Sequence, residues 1–203
     1  MTRRSSEADT IARAIAGDEV AQRAVYEAHH TAAFRLATLL LGEPCDAEEV
    51  VQDVFVYLFR NLHRYDEGRG SFRAWLRVAL VSRCRNKRRR LQLPQVSLEA
   101  LETDGQAPAG PQSEGDPAGM AEMRGTRRAV WEALQRVSPG ARDALVLRYY
   151  EGLSYAEIAA ALGCSNDAAR ARVAHGKVQL RRILAAPVEG KAGERGAIRA
   201  AKV

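Results

Sequence analysis

The side chains that most clearly suggest a binding function in this sequence are cations beside a glycine-rich loop. From Gly68 to Leu98 the chain carries nine basic residues and no acidic one. The loop before them holds Tyr65, Asp66 and Arg69. Cationic groups next to an aromatic ring can hold single-stranded nucleic acid by charge and base stacking. For the basic run itself, a plain solvated charge run is the alternative interpretation.

A helix is predicted to carry this basic run. Ser71 is a candidate N-cap, and the apolar residues that would face inward are Phe72, Trp75, Leu76 and Ala79. Core packing is the favoured interpretation of Phe72 and Trp75, since buried aromatic residues dominate small cores. The element that positions the cations is therefore predicted to be a helix whose own apolar stripe packs against the core.

A second candidate site lies near the C-terminus, where the pattern predicts a helix-turn-helix. The first helix would cover Tyr155–Leu162, Gly163 would permit the turn, and Ser165 would cap the next helix. A short helix, a tight turn and a second helix form a DNA-binding arrangement. The alternative is an ordinary helical hairpin with a solvated basic face.

The second helix of this motif separates into two faces. A core-facing stripe is predicted at Ala169, Val173, Gly176 and Leu180, which follow helical spacing. Small residues on the opposite face would allow close approach to base edges, and the flanking cations would reach phosphates or guanine. The outward and flanking residues are Arg170, Ala171, Arg172, Ala174, His175 and Lys177.

A third candidate surface lies on a strongly amphipathic helix predicted over 46–62. Its apolar face comprises Val50, Val51, Val54, Phe55, Leu58 and Leu62. Glu49, Gln52 and Asp53 share another face at spacings of three and four. That face is either merely solvated or a protein-binding surface, and the helix alone leaves both interpretations open.

Catalytic and metal chemistry are not indicated. No carboxylate cluster, phosphate-binding loop or nucleophile–base pair stands out, so we expect no enzyme activity, no cofactor and no small-molecule substrate. Cys45, Cys84 and Cys164 are far apart, which argues against a zinc site and fits a reducing compartment. The adjacent pair His29–His30 points in two directions on a helix and is interpreted as a surface feature.

The chain is predicted to be all-α, with two small helical domains joined by a flexible linker. The predicted boundaries are 9–91 for the first domain, 92–125 for an acidic linker rich in proline and glycine, 126–186 for the second domain, and 187–203 for a disordered tail. Capping boxes are predicted at Asp46 with Glu49 and at Ser154 with Glu157, and an N-cap at Ser138 before Pro139.

The overall charge favours an anionic partner. The formal net charge is +6 and the sequence pI is about 9.5, which suggests nucleic acid or a membrane surface. No targeting segment is visible, and the longest apolar stretch, Leu36–Leu41, is too short to span a bilayer. We therefore expect a cytoplasmic protein.

Taken in order, these segments resemble extracytoplasmic-function (ECF) sigma factors of the sigma-70 family. The segment AEEVVQDVF (Ala47–Phe55) is similar to the family's region 2.2, and FRAWL (Phe72–Leu76) with the following basic run is similar to regions 2.3 and 2.4. RDALVLRYYEGLSYAEIAAALGCS (Arg142–Ser165) is similar to region 4. The resemblance covers about 9–186, interrupted by the linker.

The resemblance implies partners and roles. Core RNA polymerase would bind Glu48, Glu49, Gln52, Asp53 and Phe55. The melted −10 region of promoter DNA would contact Tyr65, Asp66, Arg69, Arg77, Ser82, Arg83, Arg85, Asn86, Lys87 and Arg88. The −35 element would contact Ser165, Asn166, Arg170, Ala171, Arg172, Ala174, His175 and Lys177. The linker would follow the polymerase's RNA-exit path, and an anti-sigma factor, often membrane-bound in the family, would restrain the protein.

Some positions depart from the family pattern. Ser82 and Asn86 stand where Asn and Asp are frequent, and Ala169 and His175 replace a common Val and Arg. These departures bear on which promoter sequence is read. The competing hypothesis is a helix-turn-helix regulator that does not dock as a sigma subunit, which would leave the N-terminal half unexplained.

Overall fold

The computed structural model describes residues 2–92 and 117–186, with side chains for 7–91 and 125–186. The predicted tail and most of the predicted linker lie outside the described residues. The described chain contains no strand and these α-helices: α1 (Thr2–Ile15), α2 (Glu19–Leu41), α3 (Pro44–Arg60), α4 (Phe72–Gln92), α5 (Pro117–Gln135), α6 (Pro139–Leu145), α7 (Tyr155–Leu162) and α8 (Asn166–Ala185). The all-α prediction is confirmed.

The N-terminal half, α1–α4, is built around α2. Asp18 caps this helix by accepting hydrogen bonds from the amides of Val20 and Ala21, and Gly42 ends it at a φ of 94°. Helices α1, α3 and α4 all pack against α2. The core between them consists mostly of Ala, Leu and Val, with Phe55 and Phe72 as its fully buried aromatic residues.

One local prediction in this half is wrong. Asp46 and Glu49 do not form a capping box, because α3 begins two residues earlier, with Pro44 in its first turn. Proline suits that position since its missing N–H would be unpaired there anyway. The Asp46 and Glu49 carboxylates instead lie 3.1 Å and 2.6 Å from Nζ of Lys87 on α4.

The histidine pair is also more enclosed than predicted. The side chains of His29 and His30 retain 13% and 28% of their exposure, because α2 is covered on several sides. They do point apart: the His29 ring lies 5.1 Å from that of Phe72, and the His30 ring lies 4.8 Å from that of Tyr26. Burial lowers the pKa of His29, although the nearby Glu7 opposes this shift.

The C-terminal half differs from the prediction at its start. Helix α5 begins at Pro117, inside the segment predicted to be linker, so 117–125 are helical. Ser138 and Pro139 begin α6 as expected, and a π-helical turn, Val146–Tyr150, continues it. Gly152 then reverses the chain at a φ of 72°, leading into α7.

Helix α8 packs closely on α6 through Gly176. A Cβ atom built on this glycine would lie 2.8 Å from Cγ of Leu145 and 3.1 Å from the backbone oxygen of Ala141. The backbone oxygen cannot rotate away as a side chain could. The close approach of these two helices therefore requires glycine at this position.

We predict that Gly176→Ala destabilises the C-terminal half by about 1–3 kcal/mol, the usual cost of overpacking a core. The measurement is chemical denaturation followed by circular dichroism. Gly140→Ala is the matched control: it is also helical, but its added Cβ would meet nothing closer than 4.0 Å. Equal stability of the two variants would contradict the packing argument.

Candidate nucleic-acid and protein-binding surfaces

The helix-turn-helix is assembled by local hydrogen bonds that the sequence predicted. Ser154 and Glu157 form a complete capping box at the start of α7. Gly163 ends α7 at a φ of 61°, and the Ser165 hydroxyl accepts a hydrogen bond from the amide of Ala168 at the start of α8. These three local features define where α7 begins and ends and where α8 begins.

The outward face of α8 is open in the structure. Ala169, Val173 and Gly176 are buried and Leu180 is partly buried, so the predicted core stripe is confirmed. On the other side, Ser165, Asn166, Arg170, Ala171, Ala174, His175 and Lys177 are exposed, and Arg172 is partly buried. The Arg170 guanidinium lies 5.0 Å from the centre of the Tyr155 ring, which orients it beside this face.

The predicted protein-binding face on α3 is also open. Glu49, Gln52 and Asp53 are exposed, while Glu48 is half-buried and accepts a hydrogen bond of 3.0 Å from the Gln52 amide. Phe55 is a correction to this set. It is only 2% exposed and packs against Tyr26 and Phe59, so it supports the face from inside.

The loop between α3 and α4 is more ordered than its glycine content suggested. It contains two 3-10 turns, Leu62–Arg64 and Glu67–Arg69. The ring of Tyr65 packs edge-on against Phe72, and its hydroxyl donates a hydrogen bond of 3.2 Å to the backbone oxygen of Gly70. Burial raises the pKa of this phenol.

The loop therefore offers polar groups rather than a free aromatic ring. Asp66 and Arg69 are exposed at its tip, and the Asp66 carboxylate accepts a hydrogen bond of 2.9 Å from the amide of Gly68. Stacking of a base on Tyr65 would require the ring to leave its position beside Phe72 and Trp75. In this conformation the ring is partly buried and packs against the core.

The predicted DNA-binding residues on α4 fall into two groups. Ser82, Arg83 and Asn86 are exposed, and the Arg83 guanidinium lies 5.5 Å from the centre of the Tyr57 ring. The remaining four are Arg77, Arg85, Lys87 and Arg88, and each makes an ion pair or hydrogen bond to another helix or loop, although Arg85 stays exposed. The hydrogen bonds that the Lys87 ammonium donates to the carboxylates of Glu49 and Asp46 raise the pKa of Lys87, which keeps it charged.

Arg88 takes part in a buried ionic contact between the two halves. It makes a two-pronged interaction with Asp143 on α6, at 3.0 Å and 2.7 Å, and donates to the backbone oxygen of Leu40 at 2.9 Å. The Asp143 side chain is 2% exposed. Removing one partner of such a buried pair typically costs about 3–5 kcal/mol, because the other charge is left uncompensated.

Arg142 extends this contact. Its guanidinium donates to the backbone oxygens of Leu40 and Gln135, at 3.3 Å and 2.9 Å. Burial lowers the pKa of Arg142, and the neighbouring charge of Arg88 lowers it further, while Asp143 opposes both effects. Two guanidinium groups thus share the carbonyl at the end of α2, and one of them, that of Arg88, also binds the Asp143 carboxylate.

Sequence reasoning missed Arg142, Asp143 and Glu151 as functional candidates. The sequence did contain a signal: Arg142 and Asp143 stand between Ala141 and Ala144, which occupy the buried side of α6. Two charged residues at core positions of a short helix require partners. The identity of those partners, on α2 and α4, could not be found from the C-terminal half alone.

Two family models match the chain, one in each half. Sigma-70 region 2 matches residues 25–93, and sigma-70 region 4 matches residues 127–180. The chain belongs to the ECF RNA polymerase sigma factors of the sigma-70 family. It is thus a sigma factor, a protein that directs promoter recognition and transcription initiation.

Curated relatives agree with this assignment. The ECF RNA polymerase sigma factor SigK of Mycobacterium tuberculosis is 28% identical over 183 residues, which cover 90% of this chain and 96% of SigK. The ECF RNA polymerase sigma factor SigE of Mycolicibacterium smegmatis is 32% identical over 157 residues. That alignment covers 77% of this chain and 59% of SigE.

Two solved structures are similar to this ECF sigma factor. CnrH, solved in complex with the cytosolic domain of CnrY, is 25% identical with a TM-score of 0.58, over 86% of this chain and 94% of CnrH. The sigma factor RpoE of Bartonella quintana, solved with the anti-sigma factor NepR, is 23% identical with a TM-score of 0.59. That match covers 80% of this chain and 95% of RpoE and supports the fold.

Within 2–92 and 117–186, no group of three or more His, Cys, Asp or Glu side chains could hold a metal ion. None of the described helices is long and apolar enough to cross a membrane.

Two of the three cysteines, Cys45 and Cys84, are predicted to differ in reactivity. Cys84 is fully buried and Cys45 is exposed. Burial raises the pKa of Cys84 to about 12, and the Asp143 carboxylate adds to that rise, so its thiol stays neutral at pH 8. Because the thiolate is the nucleophile, iodoacetamide at pH 8 should modify Cys45 and spare Cys84.

Peptide mass spectrometry after timed alkylation gives the measurement. Alkylation in urea is the control, since unfolding should expose Cys84. Equal alkylation rates for Cys45 and Cys84 in the folded protein would contradict the burial of the Cys84 side chain on α4.

Proposed function

We propose that this ECF sigma factor binds core RNA polymerase through the exposed face of α3 and reads promoter DNA with two separate surfaces. The −10 region would contact the loop tip and α4, and the −35 element would contact the outward face of α8. The observation that carries this proposal is the order of the two sigma-70 matches, each coinciding with one half that displays an exposed polar face.

The proposed polymerase contact is electrostatic and polar. Glu49, Gln52 and Asp53 stand on one side of α3, where the buried valines behind them hold the helix in place. Glu48 lies at the edge of this face. Core polymerase would bring the complementary cations, which would also compete with Lys87 for Glu49.

The proposed −35 contact follows from the shape of α8. Ala171 and Ala174 are small and exposed, so the helix can approach base edges closely. Arg170, Arg172 and Lys177 flank them and would reach phosphates or guanine. The N-terminal part of a recognition helix usually enters the major groove, and Arg170, Ala171 and Arg172 lie in that part of α8.

We further infer that the protein acts without catalysis of its own, in the cytoplasm, where polymerase and promoter DNA are found. An anti-sigma factor is the expected inhibitory partner, as in the complex of RpoE with NepR. Such a partner, if membrane-bound, would hold the protein at the inner face of the membrane.

The polymerase contact is tested by Asp53→Lys. Reversing an exposed charge in the centre of the face should weaken binding to core polymerase about tenfold or more, since close like charges across an interface cost free energy. Asp9→Lys is the matched control, because Asp9 is exposed on α1 and undergoes the same charge change. Titration of labelled protein with core polymerase is the measurement, and equal affinities for the two variants would remove α3 from the interface.

The −35 contact is tested by Arg170→Ala. Loss of a phosphate contact should reduce the salt dependence of binding by about one unit of slope, and loss of a two-pronged base contact should cost about 1–3 kcal/mol. Fluorescence anisotropy with a −35 duplex at several salt concentrations gives the measurement.

Arg181→Ala provides the control for this experiment. Arg181 is exposed on α8 about three turns beyond Arg170 and on the same side. If both substitutions reduce binding equally and without sequence preference, α8 acts as a general basic surface rather than a recognition helix. Failure of the protein to bind core polymerase would favour the helix-turn-helix regulator instead.

A further inference from the structure

A series of hydrogen bonds joins the start of α6 to the outward face of α8. Oε1 of Gln179 accepts a hydrogen bond of 2.9 Å from the backbone amide of Ser138. On the same side chain, Nε2 lies 2.7 Å from Nε2 of His175, which stands four residues, or about one turn, earlier on α8. His175 is exposed and Gln179 is partly buried. Gln179 therefore connects the backbone before α6 to a residue of the proposed −35 surface.

The position of the His175 ring proton follows from these contacts. The Ser138 amide is a donor, so the oxygen of the Gln179 side chain faces it and the nitrogen faces the imidazole. A side-chain amide nitrogen can only donate, and Nε2 of His175 must therefore accept. Such a ring is neutral and carries its proton on Nδ1. A charged imidazole would instead set two donors against each other at 2.7 Å.

No competing acceptor lies beside the ring in the described part of the chain. A carboxylate would accept from Nε2–H and favour the other tautomer. The groove that His175 lines contains one charged residue, the cation Arg172. The described carboxylates of the helices packed against α8 bond elsewhere: Asp143 of α6 binds Arg88, Glu132 of α5 binds Arg128, and Glu157 of α7 binds Ser154. Gln179 is therefore the group that sets the tautomer.

We propose that Gln179 is a positioning residue for promoter recognition, which holds His175 neutral so that its Nδ1–H is the donor offered to a base edge of −35 DNA. This inference rests on the proposed −35 role of α8. A neutral donor releases no counterions from DNA, so His175 would contribute to sequence preference and not to the general attraction for phosphate.

The tautomer determines which bases His175 can accept. In the major groove guanine, adenine and thymine each present an acceptor atom, whereas cytosine presents only the donor N4–H₂. A ring with its proton on Nδ1 should therefore disfavour cytosine on the strand that it contacts. The opposite tautomer, with Nδ1 as an acceptor, should favour cytosine.

The tautomer is measured directly by ¹⁵N NMR of the histidine ring nitrogens in the full chain at pH 8. We expect the Nδ1–H form for His175, and His175→Ala identifies its signals by their loss. Gln179→Met keeps the length of the side chain but removes the amide, so the ring should change to the Nε2–H form that a free histidine side chain favours. An Nε2–H ring in the native protein would overturn the proposal.

Base preference is measured with the full chain and −35 duplexes that it selects from a randomised pool. At one position, cytosine should weaken binding by the native protein about threefold to tenfold, which is the usual net value of one hydrogen bond. Gln179→Met and His175→Ala should both reduce this discrimination. If His175→Ala leaves the preference unchanged at every position, the positioning role is rejected.

Gln179→Glu should reverse the preference. Its carboxylate can accept from the Ser138 amide and from Nε2–H of His175, which leaves Nδ1 as an acceptor at pH 8. Cytosine should then become the preferred base at that position. Because histidine gains its second proton between about pH 8 and pH 5, discrimination against cytosine should return in this variant as the pH falls. A preference that stays native at pH 8 would contradict the proposal.

Val178→Glu is the matched control for the added charge. Val178 is the neighbouring residue on α8 and is 64% exposed, so its replacement introduces the same charge without the contact to His175. It should lower affinity for all duplexes alike and leave the base preference as in the native protein. The same reversal in Val178→Glu would assign the effect to charge and reject the tautomer mechanism. Circular dichroism verifies helix content for every variant.

Arg170→Ala separates this inference from the −35 role of α8. If Arg170→Ala weakens binding to the selected duplex while the Gln179 variants keep the native base preference, the positioning role is rejected and the −35 role stands. If Arg170→Ala and His175→Ala both leave binding unchanged, the −35 role of α8 fails, and the positioning role fails with it.

Discussion

A single buried carboxylate sets the arrangement of this protein. The Asp143 side chain is 2% exposed, and such a charge is tolerated only with compensation. Arg88 on α4 supplies the ion pair, so the compensation for a charge in the C-terminal half comes from the N-terminal half. The carbonyl of Leu40 at the end of α2 accepts from the guanidinium groups of Arg88 and Arg142 and joins a third helix to the contact. Each half thus leaves polar groups that the other half satisfies.

This contact also divides the polar residues of α4 into two sets by their contacts. One set of arginines faces the C-terminal half, and Ser82, Arg83 and Asn86 face outward. A guanidinium binds carboxylate, carbonyl and phosphate with similar geometry, so residues suited to DNA are equally suited to an internal acidic partner. The same chemistry that serves promoter binding therefore allows self-association of the two halves.

The polar residues of α3 and α4 are connected as well. Lys87 lies next to Arg88 in sequence and pairs with Glu49, which belongs to the proposed polymerase surface. A protein that draws Glu49 into a new contact would leave Lys87 with Asp46 as its remaining carboxylate partner, one residue away from the Arg88–Asp143 pair. The proposed surfaces for polymerase and for DNA are consequently next to each other, since Lys87 on α4 pairs with Glu49 on α3.

Local sequence determined the elements and most of their faces. The Ser154–Glu157 capping box, the turn at Gly163 and the buried stripe of α8 depend on residues within a few positions of one another, and all were predicted. The predictions failed where a distant or overlooked feature decided the outcome. Asp46 seemed to be a cap but lies inside a helix that Pro44 begins, and Phe55 seemed to belong to a binding face but fills the space between α2 and α3.

The sequence by itself determined that this is an all-α sigma factor with a helix-turn-helix, because helical periodicity, caps and ordered motifs are local properties of the chain. Only the tertiary structure decided which cations remain available. Arg83 and Arg88 are similar in sequence context, yet one is exposed and the other is bonded to Asp143, far along the chain. The physical reason is that a buried charge selects its partner by position in space, and helical periodicity carries no information about which distant helix will supply it.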